Sequence, residues 1–151
     1  MAQDNMMVNL LLGHLKTSKQ FTIAVAEQMP ADQYSYKLTP AQMSFAEQMI
    51  HISNANGFFF GKMFGAKGPS FDAKKADKAT VIADLNSSFD FAIATLGGLK
   101  DEKLHEVVDT GDGKMTALEG VMLTLDHTTN HRASSEMYLR SKGITPTEYK
   151  F

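Results

Sequence analysis

Residues 118–143 read LEGVMLTLDHTTNHRASSEMYLRSKG, and the reading of this stretch decides the fold. It holds no proline. Glycine occurs only near its start, at Gly120, and at its end, where Gly143 is placed to stop a helix. Thr116 and Glu119 form a capping-box pattern just before it. The stretch is therefore expected to be one long helix. At about 100° per residue from Leu118, His127 falls near about 180° and His131 near about 220°. Gly120, Thr124, Ser134 and Tyr138 share that sector. Val121, Leu125, Thr128 and Leu139 flank it toward the core, and Glu119, Asp126, Asn130, Glu136 and Arg140 take the wet side.

Working outward, three more segments show helical spacing. Residues 4 to about 28, with Asp4 as cap, place Met7, Leu10, Leu11, Phe21, Val25 and Met29 on one side until Pro30 ends the pattern. Thr39-Pro40 reads as a capping hydroxyl and a first-turn proline for a helix over about 40–64. Phe45, Met49, Ile52, Phe59 and Met63 form its apolar stripe. A mixed stripe beside it carries Ser44, Glu47, Gln48, His51, Ala55 and Phe58. Asp72 is expected to cap a helix over about 73–97, ended by Gly97-Gly98, with Lys74, Lys75, Asp77 and Lys78 in its first turn. Residues 99–116, with a β-like run from Leu104 to Val108 and the turn sequence Thr110-Gly-Asp-Gly, predict an extended loop or irregular hairpin. Four amphipathic segments read as an all-α four-helix bundle in one domain over 1–151. The long connections allow a non-adjacent crossover.

Bulk composition narrows the function. The chain has 151 residues, 43% hydrophobic and 21% charged, which is enough for a globular core. A formal net charge of −2 without a basic tract argues against a partner held by its phosphates, so no nucleic acid is expected. The absence of cysteine removes disulfides, zinc-thiolate sites and cysteine nucleophiles. The first residues lack the early positive charge and cleavage site of a signal peptide, and their apolar run is too short for a bilayer. A cytoplasmic protein with no membrane partner is expected. The ten methionines are dispersed and suit core gaps.

The chemistry lies in the histidines. An i, i+4 pair on a helix stacks two imidazoles that can take adjacent positions on one transition-metal ion. Such a pair alone is a weak motif, and two unrelated surface or core histidines is the favoured reading of it. His51, on another long helix, supplies a third ring, and three protein ligands with an open position is the usual catalytic arrangement. Glu47 stands one turn before His51 as a fourth ligand, an acceptor for a ligand's N–H, or a solvated glutamate. Tyr138 is a donor to substrate or a core tyrosine. His14 and His105 gain no support from spacing. Nucleophile elbows, phosphate loops, dinucleotide fingerprints and H-E-x-x-H are absent.

The C-terminal residues carry a resemblance. His127, His131-Arg132, Tyr138-Leu139-Arg140, Gly143 and Pro146 resemble the H-x-x-x-H-R-G-Q and Y-L-R-x-x-G-x-x-P pattern of the DinB-like family, and His51 in MIHISNAN matches the family's remaining ligand. Ala133-Ser134 replaces the pattern's Gly-Gln: alanine keeps close packing, whereas serine lacks glutamine's reach. The resemblance implies a bundle with non-sequential helix order, a homodimer, and a divalent metal (zinc, nickel or iron) on His51, His127 and His131. It also implies a metal-dependent enzyme acting on a small-molecule thiol, as a thiol transferase; hydrolysis is the other chemistry such a site permits. The alternative is a non-catalytic, stress-response metal binder whose ion staples two helices. Met122 and Met137, near the wet side, are the candidates for a dimer surface.

Overall fold

The computed structural model describes residues 5–149. Helix α1 spans Met6–Gln28, α2 Phe45–Phe64, α3 Lys78–Gly97, the one-turn α4 Asp101–Leu104 and α5 Ala117–Ser141. Strands β1, Val107–Asp109, and β2, Lys114–Thr116, pair antiparallel with Val108 opposite Met115. The hairpin expected before α5 is present, but its first strand starts at Val107, and Leu104, expected to open the extended run, closes the one-turn α4 instead. The hairpin turn is closed by Thr110, whose N–H and hydroxyl both donate to the Gly113 carbonyl.

The long helices form a four-helix bundle in which α1 and α2 each pack against both α3 and α5. Helices α1 and α2 are thus diagonal, as are α3 and α5. The connections 29–44 and 98–116 are the two that cross the bundle. They are long because each must reach a non-adjacent corner. No helix among the described residues is long and apolar enough to cross a membrane.

Helix ends follow from their donors and acceptors. Helix α5 starts on the expected capping box: Thr116 accepts from the Glu119 N–H, and Glu119 accepts from the Thr116 N–H. It ends at Gly143, φ +75°, with the Ile144 N–H donating to Leu139 and the Gly143 N–H to Arg140. Two starts differ from expectation. Helix α2 begins after Ser44, not at Thr39-Pro40. Ser44 and Glu47 form a capping box, and the N–H groups of Phe45 and Ala46 donate to the Tyr36 and Tyr34 carbonyls at 2.9 Å each. Those first-turn donors find partners only at this register. Helix α3 begins after Asp77, whose side chain accepts from the Thr80 N–H. Asp72 closes a turn onto the Lys74 N–H instead. Asp4 lies outside the described residues. The N–H groups of Met7 and Val8 are capped by the Asp101 carboxylate of α4, at 3.0 and 2.9 Å, an acid placed at the positive end of α1.

The core divides in two. One cluster joins Phe21, Val25, Phe45, Met49, Val81, Leu85, Phe89 and Leu139; the other joins Leu11, Leu15, Phe59, Phe60, Leu96, Leu104 and Val121. Between them every long helix buries polar side chains: Ser18 and Thr22, Ser53 and Asn56, Ser88, and Thr124, Thr128, Arg132 and Ser135. Helix α5 buries no apolar side chain between Val121 and Tyr138. The three histidines stand on α2 and α5 at the level of this polar layer.

Candidate metal centre

His51 of α2 meets His127 and His131 of α5, and one ligating nitrogen from each lies within 4.8 Å of the others. Ring centroids are 4.8, 4.4 and 4.5 Å apart for the pairs 51–127, 51–131 and 127–131. The helical i, i+4 spacing stacks the two α5 rings, and the direct packing of α2 on α5 brings in the third. Among the described residues no other such group of histidines or carboxylates occurs.

The hydrogen bonds set the direction of each ring. Gln48 Oε1 lies 2.6 Å from His131 Nδ1. A carbonyl oxygen only accepts, so His131 donates from Nδ1 and its Nε2 keeps a lone pair. His51 and His127 present Nε2 to Nε2 at 3.0 Å. Two neutral rings in that pose share a single proton, and a cation can replace it. His127 Nδ1 is buried without a partner. Nitrogen–metal bonds of about 2.0–2.1 Å at tetrahedral angles put ligand nitrogens about 3.4 Å apart. The widest-spaced rings therefore need to close by up to about 1.4 Å to share an ion. The residues present fit a metal.

The electrostatics agree. Burial and the neighbouring rings, His127 and then His51, push His131 down to about 4. Burial lowers His127, helped by His51 and opposed by Asp112, and burial lowers His51. All three rings are neutral at pH 7, the protonation state a metal ligand requires.

A cleft of about 790 Å³ opens beside the cluster, with His51 and His127 on its wall and Phe58, Phe59, Lys62 and Asp112 farther along. Glycines shape it. A Cβ at Gly57 would stand 2.1 Å from the Pro69 carbonyl oxygen, so the 66–70 loop lies directly on α2. Gly111, φ +92°, rests on the Phe58 ring and brings the hairpin tip with Asp112 to the cleft.

Other candidates lie elsewhere. Glu47 lines a small pocket of about 210 Å³ that also reaches His51, but its carboxylate takes the Ser44 N–H at 2.6 Å and faces Lys37 at 3.5 Å. The Ser44 backbone bond, foremost, holds it below the usual carboxylate range. The helix cap, not the imidazoles, claims this group. Tyr138 is buried between Phe45 and Tyr36 and donates its hydroxyl to the Met43 carbonyl, so it is a core residue with no free donor for substrate. His14 and His105 are exposed and apart from the cluster. Met122 and Met137 are exposed, as their wheel positions predict. The residue missed from sequence is Gln48. Its signal was its place three residues before His51 on the same stripe.

The chain is 26% identical over 149 residues to the uncharacterized protein YjoA of Bacillus subtilis (strain 168), covering 96% of this chain and 94% of that one. The crystal structure of that DinB-like protein superposes with a TM-score of 0.77 at 22% identity, over 93% of this chain and 96% of the other. A DinB-like protein from Bacillus cereus ATCC 10987 superposes with a TM-score of 0.81 at 15% identity, over 99% and 100%. These likenesses establish the fold. The family profile of the DinB superfamily matches residues 14–134, a span that includes all three histidines. This chain therefore belongs to the DinB superfamily.

Proposed function

We propose that the protein binds a divalent transition metal through His51, His127 and His131 and acts as a metal-dependent enzyme, either transferring a small-molecule thiol or hydrolysing its substrate. The observation that carries this reading is the convergence of three neutral imidazoles at the wall of a cleft large enough for a small substrate. When bound, the ion supplies Lewis acidity, lowering the pKa of a thiol or water that reaches it. The chain's own groups do the rest. Gln48 fixes the His131 tautomer. Phe58 and Phe59 offer apolar walls, and Lys62 and Asp112 offer charged groups to a polar substrate. With no cysteine in the chain, the thiol comes from a small molecule.

One observation favours a second reading. The rings join two helices whose shared layer is polar, so an ion there would also staple α2 to α5. Elemental analysis of purified protein and of His127→Ala tests the metal: about one equivalent is expected in the first and a loss of most of it in the second. Loaded protein is then assayed with a thiol and a chromogenic electrophile, and with chromogenic esters. Turnover that disappears with the ion supports the enzyme. Metal loading that raises the melting temperature without turnover supports the staple.

A further inference from the structure

On another side of α5 from the histidines, a groove of about 450 Å³ runs between α1 and α5. Its walls are apolar, with Leu10, Leu11, Met122 and Leu125, and Arg132 lines its inner end. Leu10 and Met122 are 62% and 52% exposed, so the groove presents a continuous apolar mouth. Arg132 is only 3% exposed. Its Nη1 donates to Ser18 Oγ at 3.1 Å and Thr22 Oγ1 at 3.5 Å, its Nη2 to Thr129 Oγ1 at 3.4 Å, and the guanidinium lies 4.4 Å over the Phe21 ring.

Every one of these partners is neutral, and most of the bonds are long. Among the described residues Arg132 forms no ion pair; Glu136, one turn on, acts on it only at longer range. Asp126 and His14 line the groove as exposed side chains. A buried cation without an anion is costly, and a planar guanidinium matches a carboxylate with paired N–H donors. The groove thus offers a cation at one end and hydrocarbon along its length. We propose that it binds a medium-chain monocarboxylate, with the carboxylate on Arg132 and the alkyl chain along Leu10, Leu11 and Met122. This site does not depend on the metal reading.

Isothermal titration of the full-length protein with decanoate and with decanol tests it. Saturable one-to-one binding of decanoate is expected, with decanol about tenfold weaker or worse, the loss expected for a charge-assisted hydrogen bond. Arg132→Gln is expected to weaken decanoate by about tenfold or more. Should that variant fail to fold, the open wall decides: Leu10→Glu, which sets a charge against the alkyl chain, should weaken decanoate about tenfold through lost apolar contact and desolvation of the new carboxylate, and Leu10→Gln less. Failure of decanoate to saturate, equal binding of decanol, or indifference to Leu10→Glu would overturn the proposal. So would sedimentation showing a dimer that Leu10→Glu dissociates, since a second copy would then fill the groove.

Discussion

Gln48 Oε1 and His131 Nδ1 meet at 2.6 Å across the interface of α2 and α5. Gln48 is buried, which shields the bond from solvent on its α2 side. It holds the ring in the tautomer that leaves Nε2 available. Gln48→Leu keeps the volume and removes the acceptor. Metal affinity should fall about 10–100-fold, as for other outer partners of metal-bound histidines. Gln48→Glu, which still accepts from Nδ1, should retain it. Competition against a chromophoric chelator measures both, and equal affinity of Gln48→Leu and wild type would remove the positioning role.

The depressed histidines make the metal-free protein acid-sensitive. Each ring has a folded pKa below its ordinary 6.5, and His131 reaches about 4. Below pH 6.5 the unfolded chain therefore takes up protons that the folded chain refuses, and stability falls as pH drops toward about 4. Above 6.5 both states are neutral and this contribution is flat. Urea midpoints of the chelated protein at pH 7.5, 6 and 5 should decline, and less steeply in His131→Ala. A parallel decline in that variant would contradict the assignment.

The start of α2 can be checked by mutation. Ser44→Ala removes one half of the capping box and should cost about 1 kcal/mol. Thr39→Ala, outside the helix, should change stability by less than about 0.5 kcal/mol. Glu47→Gln should leave metal content unchanged, because its carboxylate serves the cap. Loss of metal in that variant would return Glu47 to the site. Urea denaturation and elemental analysis give the readouts.

Two glycines should respond differently to alanine. A Cβ at Gly57 meets the Pro69 backbone at 2.1 Å, whereas one at Gly120 meets the Met63 sulfur at 2.3 Å. Backbone cannot yield as a flexible thioether can. Gly57→Ala should cost about 1–3 kcal/mol and lift the 66–70 loop from the cleft. Gly120→Ala should cost less. Denaturation, with limited proteolysis at that loop, distinguishes them.

Much of this was legible in the residues themselves. The four long helices, the Thr116–Glu119 cap, the stop at Gly143 and the stacking of His127 on His131 all depend on neighbours within about one turn. What misled was equally local. Thr39-Pro40 is a good helix start in isolation, but the carbonyls of Tyr36 and Tyr34 accept the N–H groups of Phe45 and Ala46, so the helix is capped by Ser44 instead. Asp72 likewise loses to Asp77, and Glu47 and Tyr138 face the histidine side on a wheel yet spend their polar atoms on backbone.

By itself the sequence determined which segments are helical and that His127 and His131 share a face, because helical period belongs to short stretches; His51 as the third ring rested on its place in a second long helix and on the family resemblance. Only the tertiary structure decided that α2 lies beside α5 and diagonal to α1, that Gln48 orients His131, and that Arg132 is buried with no ion pair among the described residues. Those outcomes depend on which apolar faces bury one another across the whole chain, and no local pattern encodes that pairing.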